Sequence, residues 1–156
     1  MILLIYTLVH VLISLVAIVS GFVWLHGLIK RKSLPGWTTI FLTTTLATSV
    51  TGFFFPFKGV TGAFIFGVIT LIVLPLAIYA LIKKRLSGGW RKVYVINSLI
   101  ALYLNTFALV VQIFLKPLHI PVPPENAGFG ITQILLLIVF IVLGTLAVRR
   151  FKPLAS

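Results

Sequence analysis

Five stretches of this chain contain no lysine, arginine, aspartate or glutamate: residues 2–29, 38–57, 60–82, 93–115 and 129–148. Each has about the 20 residues that an α-helix needs to cross a hydrocarbon layer roughly 30 Å thick. Lipid offers no hydrogen-bond partner to a peptide group, so a chain of such runs must satisfy its backbone within helices. The composition agrees, with 60% apolar residues and a mean hydropathy of +1.23, far from the balance of a water-soluble domain. The expected fold is therefore all-α: one membrane domain, a bundle of five transmembrane helices. The first run is the longest and is expected to tilt or to project into the interface. It is too long for the apolar core of a cleavable signal, and no small-residue cleavage site follows it.

The charges lie between the runs. Lys30, Arg31 and Lys32 follow the first; Lys83, Lys84, Arg85, Arg91 and Lys92 follow the third; Arg149, Arg150 and Lys152 follow the fifth. Only Lys58 and Lys116 fall in the two alternate loops. By the positive-inside rule this strict alternation predicts the N-terminus outside and the C-terminus in the cytoplasm, as in a bacterial inner-membrane protein. The net charge of +12 is clustered at span ends, which points to anionic lipid head groups and away from nucleic acid. Trp24, Trp37 and Trp90 are expected to anchor the inner interface. With no cysteine, disulfides and thiolate-ligated metals are excluded.

The second run is the most polar. Thr38, Thr39, Thr43, Thr44, Thr45, Thr48, Ser49 and Thr51 sit in it, and Phe53, Phe54, Phe55 and Phe57 surround Pro56 at its end. Hydroxyls can bond back to their own helix carbonyls, so they are tolerated in lipid, but they favour contact with other helices. In the fourth run Ser98, Asn105 and Gln112 are seven residues apart and form one stripe. The expected seam joins Thr45, Ser49 and Gly52 to that stripe, with Gly52 permitting close approach. In the third run Gly59, Ala63 and Gly67 are small-xxx-small pairs that favour helix contact, and Pro75 removes the donor to the Leu71 carbonyl and is expected to bend the helix. The fourth loop, with Pro117, Pro121, Pro123 and Pro124, reads as stiff and extended, and Glu125 and Asn126 as the start of the fifth helix.

One similarity runs inside the chain. Leu28-Ile-Lys-Arg-Lys-Ser-Leu-Pro-Gly-Trp37 aligns with Leu81-Ile-Lys-Lys-Arg-Leu-Ser-Gly-Gly-Trp90 at an offset of 53 residues. The runs on either side match poorly, so the similarity reads as convergence on the chemistry of a tight cytoplasmic turn.

His10 is the sharpest candidate for chemistry, about 12 Å along its helix at about 1.5 Å per residue and so close to mid-membrane. It shares a helix face with Ser14, Ala17 and Gly21. It reads as a haem ligand, a hydrogen-bond partner of a quinone, or a neutral imidazole bonded to a neighbouring helix. A haem in a membrane bundle generally takes two axial ligands at one depth. His26 is about 24 Å further along the helix and about 160° around it, and His119 is in a loop. One chain therefore supplies no second ligand.

The stretch TSVTGFFFPF (Thr48–Phe57), with His10 and the terminal LAVRRFKP (Leu146–Pro153), resembles a group of small bacterial polytopic integral membrane proteins to which no activity is attached. That resemblance implies the membrane class and no mechanism. The chain is also similar, in its first-span histidine, to haem-bearing membrane cytochromes, which would imply haem at His10. Three functions are expected in turn. The first is a non-enzymatic accessory or scaffold subunit, alone, as a homo-oligomer or beside partner subunits, holding a lipid or quinone against His10, Ser14, Thr48 and Asn105. The second is a redox subunit that uses His10. The third is a small transporter or channel lined by Thr44, Thr48, Asn105 and Gln112.

Overall fold

The computed structural model describes residues 1–56, 59, 61–115 and 127–152. Within them lie five helices: α1 (Ile2–Ile29), α2 (Pro35–Gly52), α3 (Gly62–Ile82), α4 (Trp90–Leu115) and α5 (Ala127–Arg150). There is no strand among the described residues. Four of the helices, α1, α3, α4 and α5, are long and apolar enough to cross a membrane. The threonine-rich α2 is not in that set. Lys58, Lys116, Glu125, Asn126, His119 and the loop prolines lie outside the described residues.

The helix ends differ from the apolar runs where local chemistry outweighs hydropathy. α2 begins at Pro35, a residue preadapted to the first turn because its missing N–H has no partner there anyway. It ends at Gly52, five residues before its apolar run does. Phe55 precedes Pro56, which disfavours helical backbone, so the phenylalanines leave the helix before the proline. α3 starts one residue after Thr61, whose hydroxyl accepts from the Phe64 N–H at 3.3 Å. It runs unbroken to Ile82 with Pro75 inside it, and the Thr70 hydroxyl goes to the Phe66 carbonyl and not to that of Leu71. α1 is closed by Arg31 at φ 59°, with Lys32 N–H on the Gly27 carbonyl and Arg31 N–H on that of Leu28. This is the usual glycine-terminated arrangement with arginine in the glycine's place.

α1 packs chiefly on α2 and α3 chiefly on α4. The contacts α2–α3 and α4–α1 close a four-helix ring, α2 and α4 touch across its middle, and α5 lies against α4 and α1. Inside this ring the offset of 53 reappears. The buried residues of α3 are Thr70, Leu74, Ala77 and Ala80, and their mates in α1, Ala17, Gly21, Trp24 and Gly27, are all buried. Phe41, Leu42, Thr45, Thr48 and Ser49 of α2 are buried, as are their mates Tyr94, Val95, Ser98, Ala101 and Leu102 of α4. The match is partial: Thr38, Leu104 and Thr106 are buried while their mates Arg91, Thr51 and Phe53 are not. The two hairpins bury several equivalent positions.

Close approach in the ring depends on small residues. A Cβ on Gly21 would stand 2.5 Å from Leu102 Cδ1 and 2.9 Å from Phe41 Cε2, and one on Gly144 would stand 2.3 Å from Leu99 Cδ2. A Cβ on Gly67 would stand 3.1 Å from the Phe53 ring, so the third-run glycine serves an aromatic side chain and not a second backbone. Gly59 lies outside α3, at φ 99°.

At the end of the bundle carrying the basic turns, Trp24 is only 1% exposed, a core residue and not an interfacial anchor. It stacks on Phe41, and its Nε1–H donates to the Tyr94 hydroxyl at 2.6 Å. Trp24 thus ties α1 to α2 through the stacked ring and to α4 through the hydrogen bond. Trp37 is exposed, and Trp90 packs edge-on to Tyr79 with the Lys84 ammonium over its ring. Arg91 donates to the Val148 carbonyl at 2.7 Å and also to that of Phe151, so a cation satisfies the last carbonyls of α5.

Candidate functional site

At the opposite end of the ring the four helices part around a cavity of about 600 Å³. His10 and Ser14 of α1, Thr48 and Gly52 of α2, and Asn105 and Gln112 of α4 line it, with Phe53, Phe55, Phe64 and Phe66 among its apolar walls. The structure thus brings His10, Ser14, Thr48 and Asn105 to one space. Gln112 is exposed at the α4 end of this lining. Thr44 is not part of it; its hydroxyl donates to the Ile40 carbonyl at 2.6 Å. His26 is exposed near the basic turns, far along α1 from the cavity.

The cavity also obeys the offset. His10 and Ala63, Ser14 and Gly67, and Gly52 and Asn105 are mates, and all six line it. It is therefore a space between the two hairpins to which both contribute equivalent positions. The halves differ in chemistry: the first presents imidazole and hydroxyl where the second presents methyl and hydrogen.

His10 is held from α2. Its Nδ1 is 2.8 Å from Thr51 Oγ1, and Phe55 packs edge-on to the imidazole with centroids 5.1 Å apart. Tyr6 donates to the Thr51 carbonyl at 2.6 Å and packs edge-on to Phe55 at 4.9 Å. Phe55 can reach back over α1 only because α2 stops at Gly52. Among the described residues no second histidine joins His10, and no group of metal-ligating residues forms.

Most hydroxyls of α2 bond to their own helix. Thr38, Thr39, Thr43, Thr44, Ser49 and Thr51 each donate to a carbonyl one turn back. Thr45 and Thr48 are the exceptions, with buried, unpartnered Oγ1 atoms. Ser98 Oγ and Asn105 Nδ2 on α4 are likewise buried and unpartnered. The expected seam is corrected here. Thr45 and Ser98 do lie fully buried in the ring, but Gly52 and Asn105 face the cavity, and a Cβ on Gly52 would meet only His10 Cε1, at 3.8 Å. Gly52 makes room beside the imidazole; it does not bring two backbones together.

Two residues that the sequence reading did not single out matter here. Thr51 was grouped with the other hydroxyls, yet it alone pairs with His10. Gln133 of α5 is buried at 8% exposure with both amide atoms unpartnered, although it does not line the cavity. A lone amide in the uncharged fifth run was the available signal. No protein-family model, curated protein or solved structure matches this chain.

Proposed function

We propose that this chain is a small multi-pass membrane protein that holds a lipid-soluble molecule, a lipid or a quinone, in the cavity beside His10. The observation that carries this reading is the cavity itself. About 600 Å³ of mostly apolar space with a few polar groups, contributed by all four ring helices, is the usual build of a small-molecule site. Beyond Thr48 and Thr70 the ring is closed: Thr45 and Ser98 are fully buried among Phe41, Leu74 and Leu102, and this favours holding over conduction along Thr44, Thr48, Asn105 and Gln112.

In this reading all five helices cross a bacterial inner membrane, with the N-terminus and the cavity on the outer side. The basic turns then lie in the cytoplasm against anionic head groups. α2 crosses as a member of the ring, with its exposed Thr39 and Thr43 hydroxyls closed onto their own helix carbonyls. The exposed apolar faces of α1 and α5 meet lipid, a partner subunit or a second copy of the chain. The role is that of an accessory or scaffold subunit that presents a ligand. The redox reading uses the same histidine, and a haem band in the optical spectrum that disappears in His10→Ala would replace holding by haem ligation.

The test is mass spectrometry of small molecules carried through purification in a mild detergent. The wild-type chain should retain an apolar compound that is lost from Gly52→Leu, whose side chain enters the cavity, and kept by Ile138→Ala on the exposed face of α5. Equal retention by all three proteins would place the compound elsewhere.

A further inference from the structure

The hydrogen atoms at the cavity can be counted. Thr51 has one hydroxyl hydrogen, for which the Ala47 carbonyl at 2.7 Å and His10 Nδ1 compete; we assign it to the carbonyl one turn back, as for the other self-bonded hydroxyls of α2. The contact of 2.8 Å between Thr51 Oγ1 and His10 Nδ1 then needs its hydrogen from the imidazole. Neutral His10 therefore carries its proton on Nδ1 and presents Nε2 as a bare acceptor. Nε2 has no hydrogen-bond partner among the described residues, and His10 lines the cavity.

Four of the hydroxyls around it are spent in the same way. Ser14 donates to the His10 carbonyl at 2.7 Å, Thr7 to that of Leu3 at 2.7 Å, Ser49 to that of Thr45 at 3.0 Å and Thr70 to that of Phe66 at 2.8 Å. All four line the cavity and keep only their acceptor lone pairs for a guest. Free donors on the cavity belong to α2 and α4, where Thr48 Oγ1 and Asn105 Nδ2 are unpartnered and the Gln112 amide is exposed at the rim. On the α1 side of the cavity, Thr7 and Ser14 have spent their hydrogens, so beside the His10 imidazole this side offers acceptors.

Resting on the reading that the cavity holds a ligand, we propose that its occupant is a hydrogen-bond donor: an apolar molecule with a hydroxyl seated on His10 Nε2, specifically a hydroquinone. A carbonyl oxygen at that position would face a lone pair. Phe53, Phe55, Phe64 and Phe66 supply aromatic walls for its ring, which a glycerolipid alcohol would not use. The hydroxyl-donor chemistry is shared by diacylglycerol, so the test must separate the two.

The full chain in lipid nanodiscs is equilibrated, without oxygen, with four probes: a decyl-substituted hydroquinone, its dimethyl ether, the corresponding quinone, and dioctanoylglycerol. The hydroquinone should bind about tenfold tighter than the ether or the quinone, the worth of one good hydrogen bond, and tighter than dioctanoylglycerol. His10→Ala should reduce hydroquinone binding to the level of the ether while leaving the ether unchanged. Nitrogen NMR of the labelled wild-type chain should show the proton on Nδ1, and this needs no variant to fold. Equal binding of hydroquinone, ether and quinone, or a proton on Nε2, would overturn the donor assignment while leaving a holding function intact. Preference for dioctanoylglycerol would overturn the hydroquinone. Binding of none of the four would overturn the holding reading itself.

Discussion

Single residues in this bundle divide by what a substitution would meet. Gly21 lies under Leu102 and Phe41, both fully buried, so neither neighbour has room to yield. Gly21→Ala is expected to cost about 1–3 kcal/mol through overpacking. Gly52 has open space beside it, and Gly52→Ala should leave stability unchanged or raise it by up to about 1 kcal/mol through helix propensity. Unfolding in mixed micelles would rank the two, and a larger loss at Gly52 would mean that α2 is pressed against a helix there. Asn105 gives the complementary case. Its Nδ2 has no partner to lose, so Asn105→Leu should not destabilise the fold, whereas an amide bonded between helices would cost about 0.6–2 kcal/mol on removal. A loss of that size in the same unfolding assay would show that the amide is bonded in the membrane.

At the scale of the helices, the proposed topology can be checked from both ends of α3. A cysteine at Ser87, in the basic turn, should react with an impermeant thiol reagent only once the cytoplasmic side is opened. One at Gly62, where nothing crowds a new side chain, should react in intact cells. Labelling of Ser87→Cys from outside would reject the proposed orientation. The existence of all five helices was legible in the sequence, since uncharged runs of this length leave few alternatives. Their ends were less so. The second run reads through to residue 57 because phenylalanine is as apolar as leucine, and hydropathy is blind to the backbone restriction before Pro56. The arginine in the left-handed position after α1 is equally silent, since composition points to glycine there. The site was half legible. Depth along the helices placed His10 and Asn105 near one level. The bond from His10 to Thr51 spans 41 residues and has no spacing to betray it.

For the molecule as a whole, the matching burial of several positions in the two hairpins means that the ring is assembled from two similar halves. Each half makes its densest contacts within itself, and the halves meet through α2–α3, α4–α1 and α2–α4. A chain divided after Gly59, between α2 and α3, and expressed as two pieces should therefore reassemble. The second piece should be retained on an affinity tag carried by the first, and Gly21→Ala, at the α1–α4 contact, should weaken that retention. Failure of the unsubstituted pieces to associate would mean that the halves depend on their covalent link to find one another.

The hydroxyl-rich α2 has a consequence for how the chain is made. Leaving the ribosome, α1 is apolar enough to enter the bilayer unaided, and α2 is not among the helices that meet that standard. Most of its hydroxyls are closed onto its own carbonyls, which lowers the cost of entry, but Thr45 and Thr48 have no such bond. In the five-span reading α2 therefore waits at the translocon until α1 covers one side of it, and it partitions with α1 as a hairpin. The bond from His10 to Thr51 and the ring of Phe55 over α1 close only at the end of that step. The cavity wall is thus complete only after the first hairpin has inserted.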